Sequence, residues 1–343
     1  MIRLERALAA IAAGLFAVGL AAPSAAAEPG DGTPVFAFTD PEIVESSGLV
    51  ARDGLVVTVN DSGDSARIFT VDPATGDTVG VTTWDGAPTD VEALAPAGDG
   101  EVWVGDIGDN LRVRGSISVT RVPFGRGETH VAGATYTLVY PDGAHDAETL
   151  LVDPATGRLL VVAKEFIGRV YRAPRVLDPE APNELEPIGT AMGIATDGSF
   201  FPDGRHLVLR NYGQAAVYTW PALERVAAFP LPDQQQGEGL AVDMRDRVYV
   251  SSEGEGSEVL RIALPRSVRE ALAGPSEEVA TGDDGAEGAE GAEGAEGAEG
   301  RGNLAGDNPD TDPWAGIVLS PWVIGGVFFL VGLVVLLRSL RPR

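Results

Sequence analysis

The chain has 343 residues with 25 Lys+Arg against 51 Asp+Glu, a formal net charge of −26, and no cysteine. Without cysteine there is no disulfide, no thiolate chemistry and no lipidated N-terminal cysteine. So acidic a chain repels phosphate backbones, which excludes nucleic acid as a partner.

Residues 1–27 read as a secretory signal peptide. Arg3 and Arg6 precede an apolar run from Ala7 to Ala22, and the small residues Ser24 to Ala27 form a cleavage site after Ala27.

Residues 28–273 repeat internally, which predicts an all-β fold built of four-stranded propeller blades. The frames "ESSGLVARDGLVVTVND", "DVEALAPAGDGEVWVGD", "DAETLLVDPATGRLLVVAKE", "IATDGSFFPDGRHLVLRN" and "QGEGLAVDMRDRVYVSSE" begin at Glu45, Asp90, Asp146, Ile194 and Gln236. Each offers an apolar strand, a tight turn and a second strand apolar on both faces, as expected where a blade is sandwiched between neighbours. Third strands follow ("ARIFTVD", "SISVTRV", "RVYRAP", "AVYTWP", "EVLRIALP"), and fourth strands precede the next frame ("VGVTTW", "ATYTLVY", "RVAAFPL"). No helical periodicity competes. Five blades are expected, with "PVFAFTD" at 34–40 completing the last one. A sixth remains the alternative if a degenerate blade hides at 173–192 or 264–281. "GRG" at 125–127 reads as a flexible insertion in a blade.

Propeller topology divides the loops between two faces. One face holds routine hairpin chemistry, "ARDG", "AGDG", two copies of "DPATG", and "PDG", in which proline and glycine occupy their usual turn positions. The other face collects Glu45, Asn60, Asp61, Asp90, Glu92, Asp106, Asp146, Glu148, Lys164, Glu165, Arg210, Asn211, Tyr212, Glu238 and Glu253, with Asp197. The first residues of innermost strands border the central channel, so this inventory predicts a ring of carboxylates on one rim. "DVEAL" and "DAETL" repeat Asp-x-Glu, and the strand period of two puts both acids on one side of an extended chain.

Such carboxylates repel one another and require protons, a cation, or the nearby Lys164, Arg112 and Arg210. Calcium suits this supply of oxygens, with Glu92, Asp106, Glu148 and Glu238 as candidate ligands. In "WVGDIGDN", Asp106 is expected to face the channel and Asp109-Asn110 to shape the loop. The segment does not match the EF-hand pattern. The competing reading is structural: short-loop Asp and Asn accept backbone N–H bonds, and an acid at the head of a strand can brace a neighbouring blade without any ligand. Of His130, His145 and His206, no two stand at a zinc-ligand spacing, and only His145 lies on the polar rim. Neither a Gly-x-Ser-x-Gly elbow nor a phosphate-binding loop occurs.

Residues 274–313 contain five Gly-Ala-Glu units and too few apolar residues to offset the entropy of ordering, so a disordered acidic stalk is expected. Trp314 to Leu337 carries no charge and is long enough to span a bilayer as a helix. Arg338, Arg341 and Arg343 put the 338–343 tail in the cytoplasm by the positive-inside rule. Setting these arginines aside with Arg3, Arg6 and Glu5 leaves the ectodomain at about −30. Lys164 is the only lysine beside 24 arginines, as in GC-rich bacterial genes. The expectation is a single-pass protein of the bacterial plasma membrane with its ectodomain outside.

The frames resemble bacterial secreted β-propellers, and "SFFPDGRHLVLRN" is similar to the WD-repeat-like and YVTN-type strand, Pro-Asp-Gly turn and strand. The acid-rich rim with Lys164, Arg210 and Tyr212 resembles calcium-dependent propeller phytases and gluconolactonase-type propellers. The resemblance implies metal and substrate sites at one mouth of the channel. Two function classes follow. One is a tethered recognition module that displays its rim to an extracellular ligand or protein. The other is a calcium-dependent hydrolase of phosphoesters or lactones, in which the metal at Glu92, Asp106, Glu148 and Glu238 polarises substrate, Lys164 and Arg210 stabilise negative charge, and an acid or Tyr212 moves a proton.

Overall fold

The computed structural model of the protein describes residues 32–98 and 100–274. The expected signal peptide, nearly all of the expected stalk, the apolar span and the basic tail lie outside the described residues. The opening strand β1 (Gly32–Ala37) is followed by a first blade of β2 (Ser46–Arg52), β3 (Leu55–Asn60), β4 (Arg67–Val71) and β5 (Thr78–Trp84). The second blade contains β6 (Val91–Gly98), β7 (Glu101–Asp106), β8 (Ile117–Pro123) and, after the short strand β9 (Gly127–Val131), β10 (Ala134–Val139). Blade 3 has β11 (Ala147–Val152), β12 (Leu159–Ala163), β13 (Gly168–Arg172) and, past the two-residue β14 (Asn183–Glu184), β15 (Glu186–Ala191). Blade 4 is β16 (Asp197–Phe200), β17 (His206–Arg210), β18 (Gln214–Thr219) and β19 (Arg225–Pro230); blade 5 is β20 (Leu240–Val242), β21 (Val248–Val250) and β22 (Glu258–Ile262).

The ring is closed by β1, which pairs antiparallel with β22 from Gly32 opposite Ile262 to Ala37 opposite Glu258. The protein is a five-bladed all-β propeller. The two places where a sixth blade could hide contain other things. Residues 173–192 supply β14 and the fourth strand of blade 3, and the chain after β22 turns into a short helix, α1 (Arg266–Ala273), that packs on β19. That helix was not legible as a periodic pattern: one buried side chain, Val268, anchors it.

The second strand of each blade is buried on both faces because each face meets a different neighbour. In β12, Leu159, Val161 and Ala163 pack toward blade 2, whereas Leu160 and Val162 pack toward blade 4. The same division repeats around the ring, so the apolar core consists of five clusters, one between each pair of adjacent blades. Burying such a side chain contributes on the order of 1.5–3 kcal/mol. A period of two with both faces apolar is therefore the sequence signature of this layering.

Two connections reach backward. "GRG" leads into β9, which leaves blade 2 and adds in parallel to the outer strand β5 of blade 1, Gly80 opposite Gly127 through Trp84 opposite Val131. The expected flexible insertion is thus an edge strand. In the same way β14, from blade 3, adds in parallel to β10 of blade 2. Each covers an outer edge that would otherwise present unpaired N–H and C=O groups.

Candidate functional site

The innermost strands β2, β6 and β11 share one irregularity. Their pairing with β3, β7 and β12 slips by one residue between Ser46 and Gly48, between Val91 and Ala93, and between Ala147 and Thr149. The extra residues are Ser47, Glu92 and Glu148, each two positions before the repeated leucine. A bulge re-aims a side chain and stops it from following the strand's alternation. Glu238 holds the same position before Leu240 in blade 5. The rim is therefore organised by one structural position repeated around the ring, occupied by glutamate in blades 2, 3 and 5.

These glutamates are buried: Glu92 and Glu148 are 3% exposed and Glu238 is 4% exposed. The Ser47 hydroxyl lies 2.9 Å from the Glu92 carbonyl oxygen and 3.1 Å from its Oε2. Asp61, Asp90 and Glu92 each bring a carboxylate oxygen within 4.8 Å of the others. Gly108 of "WVGDIGDN" explains itself here, since a Cβ at that position would stand 2.5 Å from Asp90 Oδ2 and 2.8 Å from Glu92 Cγ. On the far side Lys164 is ion-paired with Glu148, and its ammonium also lies 5.3 Å from the centre of the Tyr212 ring.

Crowding shows in the proton affinities. Burial, helped by the charge of Asp61, pushes the Asp90 carboxyl up to about 6. Burial and then the charges of Glu148, Asp61 and Asp90 raise Glu92. Glu148 is raised by burial and by Glu238 against the pull of Lys164, and Glu238 is raised by burial despite Lys164. Burial opposes the charge on Lys164, but its pairing with Glu148 outweighs that and holds the ammonium protonated. Glu148 Oε2 and Glu238 Oε2 have no hydrogen-bond donor among the described residues.

Other residues on the expected list serve the framework. Asp106 accepts the N–H groups of Thr89 and Asp90 at 3.1 and 2.9 Å and pairs with Arg114 at 2.8 Å, lining a cleft with Trp84 and Pro88 instead of joining the Asp61 cluster. Its carboxylate is engaged in bracing blade 2. Asp109 accepts the N–H groups of Val113 and Arg114 and shapes the loop as expected. The two acids of "DAETL" separate: Asp146 accepts the Asp109 N–H at 2.9 Å, while the bulge sends Glu148 to Lys164. Asn60 accepts the N–H groups of Val44 and Glu45, and Asn211 those of Gly213 and Gln214.

Arg210 is fully buried and donates from Nη1 to the carbonyls of Gly239 and Ser251 at 3.1 and 3.0 Å. It staples blade 4 to blade 5. Asp197, also fully buried, accepts the Leu240 N–H at 2.6 Å across the same junction. Glu165 binds His145 Nδ1 at 2.9 Å, and His145 Nε2 meets the Tyr171 hydroxyl at 2.8 Å, so this histidine is locked inside blade 3. Glu253, raised by burial and by Asp61 and Glu45, completes the acidic border.

Sequence reasoning did not single out Ser47, and of its candidate ligands Asp106 pairs with Arg114 while Glu92 clusters with Asp61 and Asp90. Aligning the frames on Leu49, Leu94, Leu150 and Leu240 would have marked Ser47 as the equivalent of the three glutamates.

Fold and site together define a five-bladed β-propeller with buried and half-buried carboxylates grouped around the heads of its innermost strands. No protein-family model matches the chain, and no curated protein matches it.

Proposed function

We propose that this protein is a recognition module of the cell surface whose acidic mouth binds a positively charged ligand, with a calcium site at Asp61, Asp90 and Glu92. The observation that carries the reading is the pair of buried oxygens, Glu148 Oε2 and Glu238 Oε2, that have no hydrogen-bond donor among the described residues. Leaving a buried acceptor unsatisfied costs about 1–3 kcal/mol, and more for a charged group. A positively charged ligand that reached Glu148 and Glu238 would remove that cost, whereas calcium would answer the crowding of Asp61, Asp90 and Glu92. The three clustered carboxylates offer up to six oxygens, which suits a hard ion of six to eight ligands.

The flanking sequence supports display outside the cell, since a signal peptide, an acidic stalk and an apolar span followed by arginines would hold the propeller off a bacterial plasma membrane. Recognition is preferred to hydrolysis of a phosphoester or lactone. Lys164 already has a carboxylate partner, Arg210 is fully buried with its Nη1 held by backbone carbonyls, and the mouth repels anionic substrates.

Calcium titration of the purified full-length chain, followed by calorimetry and thermal unfolding at constant ionic strength, tests the reading. Saturable binding with a rise in Tm, lost in Glu92→Gln, is expected. Absence of binding with unchanged Tm would remove calcium from the account.

A further inference from the structure

The loops around the mouth carry an apolar arc that the acidic site alone does not explain. Leu111 and Val113 of the β7–β8 loop are 81% and 74% exposed, and Phe166 and Ile167 of the β12–β13 loop are 91% and 60% exposed. Ile194, just before β16, and Tyr212, in the β17–β18 loop, extend the arc at 36% and 41%. These segments are linked in space. Arg112 reaches Glu165 at 3.6 Å, the Ile194 N–H donates to the Glu165 carbonyl at 2.7 Å, and Lys164 stands over Tyr212. Ile194 also has φ 55, a left-handed backbone that a β-branched residue adopts only at a cost.

Exposed apolar side chains gathered on neighbouring loops in this way mark an interaction site. Calcium has no use for it. Lys164, paired with Glu148 in the mouth, is only two residues before Phe166, so the two Cα atoms lie within about 7.6 Å. Adjacent or alternate side chains of an extended peptide are separated by roughly 3.3–7 Å. One short segment can therefore place a cationic side chain toward the carboxylates and an apolar neighbour on the arc.

We infer that mouth and arc form a single two-part site for a peptide segment of an extracellular partner, one that presents a lysine or arginine flanked by large apolar side chains. This rests on the reading that the mouth takes positive charge. Charge complementarity selects the partner: a second copy would bring another acidic mouth against this one, and an anionic membrane surface would be repelled by the same carboxylates. Asp61 and Glu253, half-buried and close enough to Glu238 to add to burial in raising its carboxyl, supply the charged half, and the apolar loops supply area and discrimination.

The test is selection of randomised peptides displayed on phage against the full-length chain, with and without calcium, beside Glu238→Gln and Leu111→Ser/Phe166→Ser variants. Thermal unfolding confirms that the variants fold; the two loop residues are exposed and carry no core contacts. Enriched sequences should place Arg or Lys next to Leu, Ile or Phe. Synthetic copies should lose at least about tenfold in affinity when the basic residue becomes Glu, and by a similar factor in either variant. Enrichment of acidic or purely polar sequences, or affinity indifferent to Leu111→Ser/Phe166→Ser, overturns the inference. So does binding to neutral phosphatidylcholine vesicles that the same loop variant abolishes, with no peptide enriched. If calcium binds but no peptide is enriched, the partner is wrong while the cation site stands; if neither binds, both fall.

Discussion

Lys164 and Glu148 form a largely buried ion pair, yet the second oxygen of Glu148 has no donor among the described residues, so the pair neutralises one acid of a group that contains several. Removing the cation is therefore worse than removing the acid. Lys164→Met should destabilise the calcium-free protein by about 2–3 kcal/mol, less than a fully buried pair loses because Lys164 keeps 16% of its side chain exposed. Adding Glu148→Gln to that variant should recover most of the loss, as read by denaturant unfolding of both single variants and the double variant.

The raised carboxyls set a pH dependence. Asp90 titrates at about 6 in the folded protein. A raised acid binds more protons folded than unfolded, so its contribution is complete below its unfolded pKa and is lost as pH rises through 6. Glu92, Glu148 and Glu238 shift in the same direction and prolong the decline toward alkaline pH. Asp64 acts oppositely: burial is outweighed by hydrogen bonds from Arg67 and Asn60, so its carboxyl is held low and its contribution disappears on acidification. Without calcium, stability should peak between about pH 4 and 6. Melting curves from acid to mildly alkaline pH check this, and a Tm that climbs steadily from pH 6 to 8 would contradict it.

Gly108 holds space for the Asp90 and Glu92 side chains. Gly108→Ala should weaken calcium binding by roughly tenfold or more while lowering Tm only slightly, because the added methyl displaces flexible carboxylates and not backbone. Calorimetry beside thermal unfolding separates the two effects.

Ring closure depends on few residues. Phe38, which follows β1 and is 2% exposed, packs with Phe36 into the cluster between blades 5 and 1. Phe38→Ala should cost about 3–5 kcal/mol. Hydrogen exchange should accelerate first in β1 and β22, the pair that seals the ring.

The blades themselves were legible in the amino-acid order. Strand alternation, proline and glycine turns and doubly apolar second strands are local properties, each readable within ten residues or so, and they located five blades, the closing strand and the polar face. α1 escaped because a short helix held by Val268 has too little periodic signal. β9 and β14 escaped because their partners belong to another blade.

Sequence alone determined the four-stranded blades of an all-β ring and which acids stand at the heads of its innermost strands, because both follow from local pattern and topology. Only the tertiary structure decided which of them meet. A bulge of one residue turns Glu92 and Glu148 inward, Arg114 draws Asp106 into the framework, and Asp109 occupies Asp146. Those outcomes depend on bonds between segments distant in the chain and on the approach of neighbouring blades, which no local spacing encodes.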